Sequence, residues 1–176
     1  MTLAEGRHLR FVVRNGWEFV ERRNISGIVV IVGTTVHRNL VLVSQWREPA
    51  GARVVEWPAG LAGDVSGREQ EPLIEAARRE LREETGFEAG SMEELGAGPP
   101  SPGISDEVVT FYRAAGLART GRGGGEEGEN VRAHAVPLSR LEEWLAVVRA
   151  RGMLVDPKVF AGAYWVRKEM DEGKHE

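Results

Sequence analysis

The chain contains no cysteine, which excludes disulfides and thiolate zinc centres. Basic residues are not in excess either: Lys and Arg number 23 against 27 Asp and Glu, a formal net charge of -4. A general nucleic-acid binder needs a basic patch, so that class is set aside. No apolar run is long enough to span a bilayer, and the opening MTLAEGRHLR holds no apolar core of the signal-peptide kind. No membrane association is expected, and a cytoplasmic protein is. No internal repeat is present, and no stretch suggests a second domain of ordinary size.

What remains is a chain of 176 residues, 41% of them hydrophobic, enough for one core and a short appendage. Two short runs at 9–13 and 17–22 flank Asn15-Gly16, a hairpin signal. Trp17, at its turn, is either a packing residue or an aromatic platform for a nucleobase. Continuous apolar runs at 27–34 and 40–45 predict strands buried on both faces, joined through His37-Arg38-Asn39. Arg47 follows the second strand, as a surface cation or as a guanidinium clamp for phosphate or carboxylate. A strand at 54–57 runs into Pro58-Ala59-Gly60, read as a turn exposing backbone carbonyls, and 62–70 reads as a polar loop.

Further on, the Pro- and Gly-dense segment 96–103 predicts a stiff loop, and 107–115 a strand. Residues 118–129 are flexible by composition, forming either a surface loop or a lid that carries acid into a site. Strand returns at 131–136. Ser139 predicts the N-cap of a helix that buries Leu141, Trp144, Leu145 and Val148. Asp156-Pro157 predicts the start of a last helix with Phe160, Tyr164 and Trp165 facing the core. Hairpin, meander-like strands and a few helices together give an α+β class rather than alternating βαβ units.

The most informative stretch is 72–87, PLIEAARRELREETGF. It predicts a helix with Leu73, Ala76, Ala77 and Leu81 as its buried stripe and Gly86 as its C-cap. Glu80, Glu83 and Glu84 stand at i, i+3 and i+4, so their carboxylates share one side. Such crowding is repulsive unless cations relieve it. Arg79, one turn before Glu83, can pair with it, and divalent cations can take the rest. Alone, such a cluster also suits a solvated surface face.

Residues 79–87 read REL-x-EE-x-GF, which resembles the second half of the Nudix box, G-x5-E-x7-REU-x-EE-x-GU with U a bulky apolar residue. Glu71 falls at the first glutamate of the box. The opening glycine would fall at Val65; Gly60 resembles it instead, with about five extra residues before Glu71. Trp17-Glu18-Phe19-Val20, Gln45-Trp46-Arg47 with Pro49, and Glu56-Trp57-Pro58-Ala59-Gly60 resemble the motifs preceding the box in ADP-ribose pyrophosphatases and related nucleoside diphosphate sugar hydrolases. Pro102 stands 16 residues beyond Gly86, where that subgroup carries a proline. Residues 126–131 resemble its acidic loop.

The resemblance covers residues 9 to about 170. It implies an α/β/α sandwich around a mixed sheet over 26–172, with an N-terminal hairpin region over 1–25 serving dimerisation and base binding. It implies hydrolysis of ADP-ribose or another nucleoside diphosphate sugar to a nucleoside monophosphate and a sugar phosphate. Magnesium is the implied cofactor, with manganese as substitute, because both prefer oxygen ligands. The implied ligands are Glu80, Glu84 and the Ala59 carbonyl, with Glu83 holding a further ion or a water. Arg79 orients Glu83, and Glu71 is read as structural.

The general base implied by likeness to the acidic loop is Glu127, with Glu129 as further metal ligand or substitute. Trp17 is expected to stack on the base and Arg47 to contact the diphosphate. Ser101, Gly103 and Glu107 are expected to contact the distal sugar. A homodimer with exchanged N-terminal hairpins is also implied. Two alternatives differ in substrate or class: a Nudix pyrophosphohydrolase of RNA 5′ ends or damaged nucleotides, and a regulator that binds ADP-ribose without cleavage. Pro102 and the hairpin argue against the first. The intact Glu80, Glu83 and Glu84 argue against the second.

Overall fold

The structure is a computed structural model and describes residues 1–125 and 130–173. The chain opens with β1 (Thr2–Glu5), β2 (Leu9–Arg14) and β3 (Trp17–Arg22), an antiparallel sheet in the order β1-β2-β3. The hairpin is therefore present, with Asn15 and Gly16 both at positive φ in its turn. The sequence reading missed β1, which is short and fully exposed and has no apolar pattern to betray it. Nor does the small sheet stand apart. The segment after Pro102 zips onto β3: Val20 N–H donates to the Ile104 carbonyl at 2.9 Å, and Asp106 N–H donates back to the Val20 carbonyl at 3.3 Å.

Among the described residues the main sheet has nine strands. Its centre is β4 (Gly27–Thr35), followed by β5 (Asn39–Arg47), β6 (Ala52–Glu56), β7 (Ala59–Ala62), β8 (Phe87–Glu88), β9 (Ser91–Gly98), β10 (Val109–Arg119), β11 (Arg132–Pro137) and β12 (Leu154–Val155). β4 pairs parallel with β10 and antiparallel with β5 and β7, so the sheet is mixed. Alternate residues of β4 serve opposite faces. Val30 and Val32 pack with Trp57, Phe111 and the helices α2 (Leu141–Ala150) and α3 (Lys158–Glu172). Val29 and Ile31 pack with Tyr112, Leu117 and the helix α1 (Leu73–Thr85), through Ala76, Ala77 and Leu81. The result is the expected α/β/α sandwich.

Several local readings are corrected. Pro58-Ala59-Gly60 is not a free turn, because Ala59 and Gly60 open β7. Across Trp57-Pro58 the chain leaves its partner β5 and joins β4, with Ala59 opposite Val30. Pro58 has no N–H to give a ladder, so it suits the switch, and its carbonyl still accepts Ile31 N–H at 2.8 Å. Residues 96–98, read as loop, end β9, and β10 runs on to Arg119. Ser139 lies in a short 3-10 turn (Leu138–Arg140), and α2 begins without a side-chain cap.

On α3 the buried face is Val159, Gly162, Ala163 and Val166, while Phe160 and Tyr164 point outward and Trp165 is half-buried. Gly162 explains the rotation. A β-carbon there would sit 2.3 Å from Nε1 of the buried Trp57, so the helix turns its smallest residue to the indole. Phe160 and Tyr164 are then left to the rim, while Trp165 packs against the core as expected, its ring 4.9 Å from that of Phe111. Among the described residues no helix is long and apolar enough to cross a membrane.

Candidate active site

The sheet splits where β7 replaces β5 beside β4, and α1 crosses that place. Its apolar stripe lies on the sheet, and Glu80 and Glu84 stand in line with Ala76 on that same buried side, so their carboxylates enter the split beside β7, with the more exposed Glu83 at its rim. A cleft of about 230 Å³ forms there, lined by Arg47, Ala59, Gly60, Asp64 and the three glutamates, with Gly125 at its edge. The fit is close. A β-carbon on Gly60 would lie 2.0 Å from Cδ of Glu80, so any larger residue there would displace that carboxylate.

Each acid is held differently. Oε2 of Glu84 accepts the Ala59 N–H at 3.1 Å. Oε1 of Glu80 accepts from Nη1 of Arg79 at 2.7 Å. Glu83 accepts from the same nitrogen at 3.1 Å, as its one-turn spacing predicts. Arg79 itself is buried, and its other nitrogens reach Glu71 in a two-bond fork, at 3.2 and 3.0 Å, and the Leu61 carbonyl at 2.9 Å. Glu71 is thus a structural partner of Arg79, as read from the sequence. Arg79 braces two acids of the cluster rather than Glu83 alone.

Burial dominates the electrostatics. It pushes the Glu80 carboxyl up to about 7, against the pull of Arg79 and helped by Glu83 and Asp64. It pushes Glu84 up to about 8, against the Ala59 N–H and Arg47 and helped by Glu80 and Glu56. Positive charge placed beside two such carboxyls favours their ionised form. Hard oxygen donors in a polar cleft suit a divalent ion such as magnesium, so the donor set fits one. Among the described residues no three such groups yet converge on one point, because Glu80 is turned to Arg79 and Glu84 to the Ala59 amide.

Arg47 is half-exposed and fixed from behind. Its Nε and Nη2 fork onto Glu56 at 3.1 and 2.9 Å, and Glu56 also accepts from the Gln45 amide at 3.0 Å. Sequence reading placed Glu56 in a motif without giving it a role. The signal was available: Gln45 and Arg47 are two apart on one strand and so share a face, beside the strand that carries Glu56. Asp64, at the start of the expanded segment, was likewise passed over.

The other expected residues lie around this cleft. Glu107 lines an adjoining groove of about 300 Å³ that shares Arg47, Ala59 and Gly60 with the first. It pairs there with Arg22 at 2.6 Å, tying β3 to the main body. Trp17 and Gly103 come together in a separate depression of about 370 Å³, with Pro102, Phe19 and Arg14. Trp17 is 60% exposed there and does not line the carboxylate cleft. Ser101 lies in an exposed turn, its carbonyl accepting from Ile104 and Ser105 N–H, and lines none of the three hollows. Glu127 and Glu129 lie outside the described residues.

A glutamate-bearing helix laid across a split mixed sheet, with helices on both faces, defines the Nudix class of architecture. The chain belongs to the Nudix family: the NUDIX domain model matches residues 22–156. It is 44% identical over 96 residues to an ADP-ribose pyrophosphatase of Mycobacterium tuberculosis, covering 54% of this chain and 44% of that protein. It is 29% identical over 149 residues to a GDP-mannose pyrophosphatase of Escherichia coli K12, covering 76% of this chain and 70% of that one. The chain spans about half the length of the first curated relatives it matches. A solved structure described as an ADP compounds hydrolase superposes with a TM-score of 0.71 at 22% identity, over 98% of this chain and 92% of its own. That likeness speaks to the fold.

Proposed function

We propose that the protein hydrolyses the diphosphate linkage of ADP-ribose or another nucleoside diphosphate sugar, releasing a nucleoside monophosphate and a sugar phosphate. The observation that carries this reading is one cleft that holds Glu80, Glu83 and Glu84 opposite Arg47. A diphosphate repels an attacking water by its own charge, so hydrolysis needs cations on the phosphates and a positioned water. Magnesium, or manganese in its place, supplies that positive charge when bound, held by Glu80, Glu84 and the Ala59 carbonyl with Glu83 and Glu129 beside them. Arg47, pinned by Glu56, presents its remaining guanidinium edge to the diphosphate. Arg79 keeps Glu80 and Glu83 in register. The names borne by the relatives support the substrate class.

Glu127 is the proposed general base, two residues beyond Gly125, which edges the cleft. Trp17 stacks on the base and Glu107 serves the distal sugar from the groove next to Arg47. Gly103 and Ser101 join them as the loop beside Trp17. Because Trp17 is exposed and lies away from the carboxylate cleft of its own chain, it serves a partner's site in a homodimer with exchanged N-terminal hairpins. Exposed Leu3, Leu9 and Phe11 on the small sheet support such an interface. No nucleic acid or membrane partner is part of this reading, and the protein works in the cytoplasm.

The test is product identification after incubation with magnesium and ADP-ribose, ADP-glucose, GDP-mannose, UDP-glucose, NADH or a nucleoside triphosphate. Nucleoside monophosphate and sugar phosphate from a sugar substrate are expected. Turnover of the triphosphate alone would overturn the substrate class. Glu127→Gln is expected to lower kcat by about 100-fold or more with substrate still bound; normal turnover by that variant would move the base to another residue.

A further inference from the structure

The sequence 121–125, GRGGG, reads as a flexible connector, yet it is docked against the end of the glutamate helix. A helix leaves its last four carbonyls without intrahelical donors. In α1 the Gly86 N–H, at φ +73, satisfies Arg82. The next two carbonyls belong to Glu83 and Glu84, the residues that carry the cleft's acids. They accept the N–H groups of Gly125 at 3.0 Å and Gly124 at 2.9 Å. The Gly86 carbonyl accepts two more, from Thr120 at 2.8 Å and Gly121 at 3.0 Å. Four amides from one glycine-rich segment thus close the end of a helix that lies far away in sequence.

The closeness demands glycine at two points. A β-carbon on Gly86 would lie 2.3 Å from the Gly121 carbonyl oxygen. One on Gly123, at φ +69, would lie 2.4 Å from the Thr85 carbonyl carbon and 2.8 Å from the Glu84 oxygen. Both contacts are with backbone, which cannot swing aside. Gly121 differs: a β-carbon there meets nothing nearer than Gly86 Cα at 3.8 Å.

We infer that residues 120–125 form a glycine latch, with Gly123 and Gly86 as positioning residues that hold the last turn of α1, and so the backbone of Glu83 and Glu84, where their side chains can reach a metal ion in the cleft. Holding the two carbonyls fixes the backbone from which both acids project, on a turn that would otherwise fray. The inference rests on the metal reading proposed above.

Two measurements test it on the full chain. In the parent protein, amide exchange followed by NMR should show Thr120, Gly121, Gly124 and Gly125 protected by about 100-fold or more over unstructured amides. Exchange at the free rate would overturn the latch. Then Mn2+ binding is titrated by electron paramagnetic resonance at a temperature well below unfolding, with thermal stability recorded in parallel. Gly123→Ala is expected to weaken Mn2+ binding by about tenfold or more, from the misplaced turn and the strained φ. Gly152→Ala, at a comparable φ of +78 with nothing within 4 Å and outside the cleft lining, is expected to bind Mn2+ as the parent does. Equal Mn2+ affinity in Gly123→Ala and the parent, at whatever cost in stability, would reduce the latch to a structural cap and overturn the positioning role. A parent that binds no Mn2+ while its latch amides stay protected would overturn the metal reading, and the positioning role with it.

Discussion

Replacing Arg79 with Met keeps the length and bulk of the side-chain stem and deletes the guanidinium. In the native structure that group donates to both oxygens of Glu71, to Glu80, to Glu83 and to the Leu61 carbonyl. The consequences differ with exposure. Glu83 is 31% exposed and can turn to water at little cost. Glu80 already titrates near 7, so on losing the cation it takes up a proton instead of keeping a charge. Glu71 is only 8% exposed, and its other cation, Arg68, stands 3.6 Å away on the surface. Breaking a buried pair by removing one member costs about 3–5 kcal/mol. With Glu80 and Glu83 able to relax, the expected loss lies near the lower figure, about 3 kcal/mol.

The assay is urea unfolding at pH 7 in the presence of EDTA, so that metal linkage adds nothing. Removing the stranded charge in Arg79→Met/Glu71→Gln should return about 1–2 kcal/mol, a coupling that a double-mutant cycle reads directly. A loss under about 1 kcal/mol for Arg79→Met, or additivity of the two changes, would refute the claim that Arg79 is the electrostatic keystone beneath the cleft.

Three further outcomes are expected. Without metal, the folded state holds protons on Glu80 and Glu84 up to about 7 and 8, whereas unfolded glutamates release theirs near 4.3. The folded state therefore binds more protons between these limits, and stability falls as pH rises through that window. Tm in EDTA should drop between pH 5 and 8, with a shallower slope in Glu84→Gln; a flat or rising profile would contradict the shifts. Gly60→Ala drives a methyl to 2.0 Å from Cδ of Glu80, so Mn2+ titration should show affinity lower by about tenfold or more with the fold intact by circular dichroism. Gly162→Ala overpacks against Trp57 and should cost about 1–3 kcal/mol in denaturant unfolding, leaving Mn2+ affinity unchanged.

The parts of the fold written in local patterns were legible. The apolar run of β4 announces a strand buried on both faces, and the structure places α1 on one and α2 and α3 on the other. The spacing of Glu80, Glu83 and Glu84 puts the three acids on one side of α1, because 3.6-residue periodicity is local; that Glu80 and Glu84 share this side with the buried Ala76 and Ala77 makes sense only with β7 beneath them. Elements whose existence depends on a partner were not legible. β7 is a strand only because β4 lends it a ladder just past Pro58. Of the α3 aromatics expected to face the core only Trp165 does, because the smallest residue, Gly162, decides the rotation through its contact with Trp57.

The glycine-rich stretch shows why composition misleads at a site. Glycine is abundant in connectors because it costs nothing sterically to leave free, and it is required wherever two backbones touch. The two uses share a composition and differ only in what lies opposite. Opposite Gly123 lie the Thr85 and Glu84 backbone atoms, at separations that exclude any side chain. Arg47 teaches the same point from the polar side. As a letter after a strand it was equally a surface cation or a clamp. Glu56 and Gln45, brought beside it by the β5–β6 register, fix one edge of its guanidinium and leave the other facing the acids of α1. Direction, which one-dimensional spacing does not carry, is what turns that residue from a charge into a candidate ligand for phosphate.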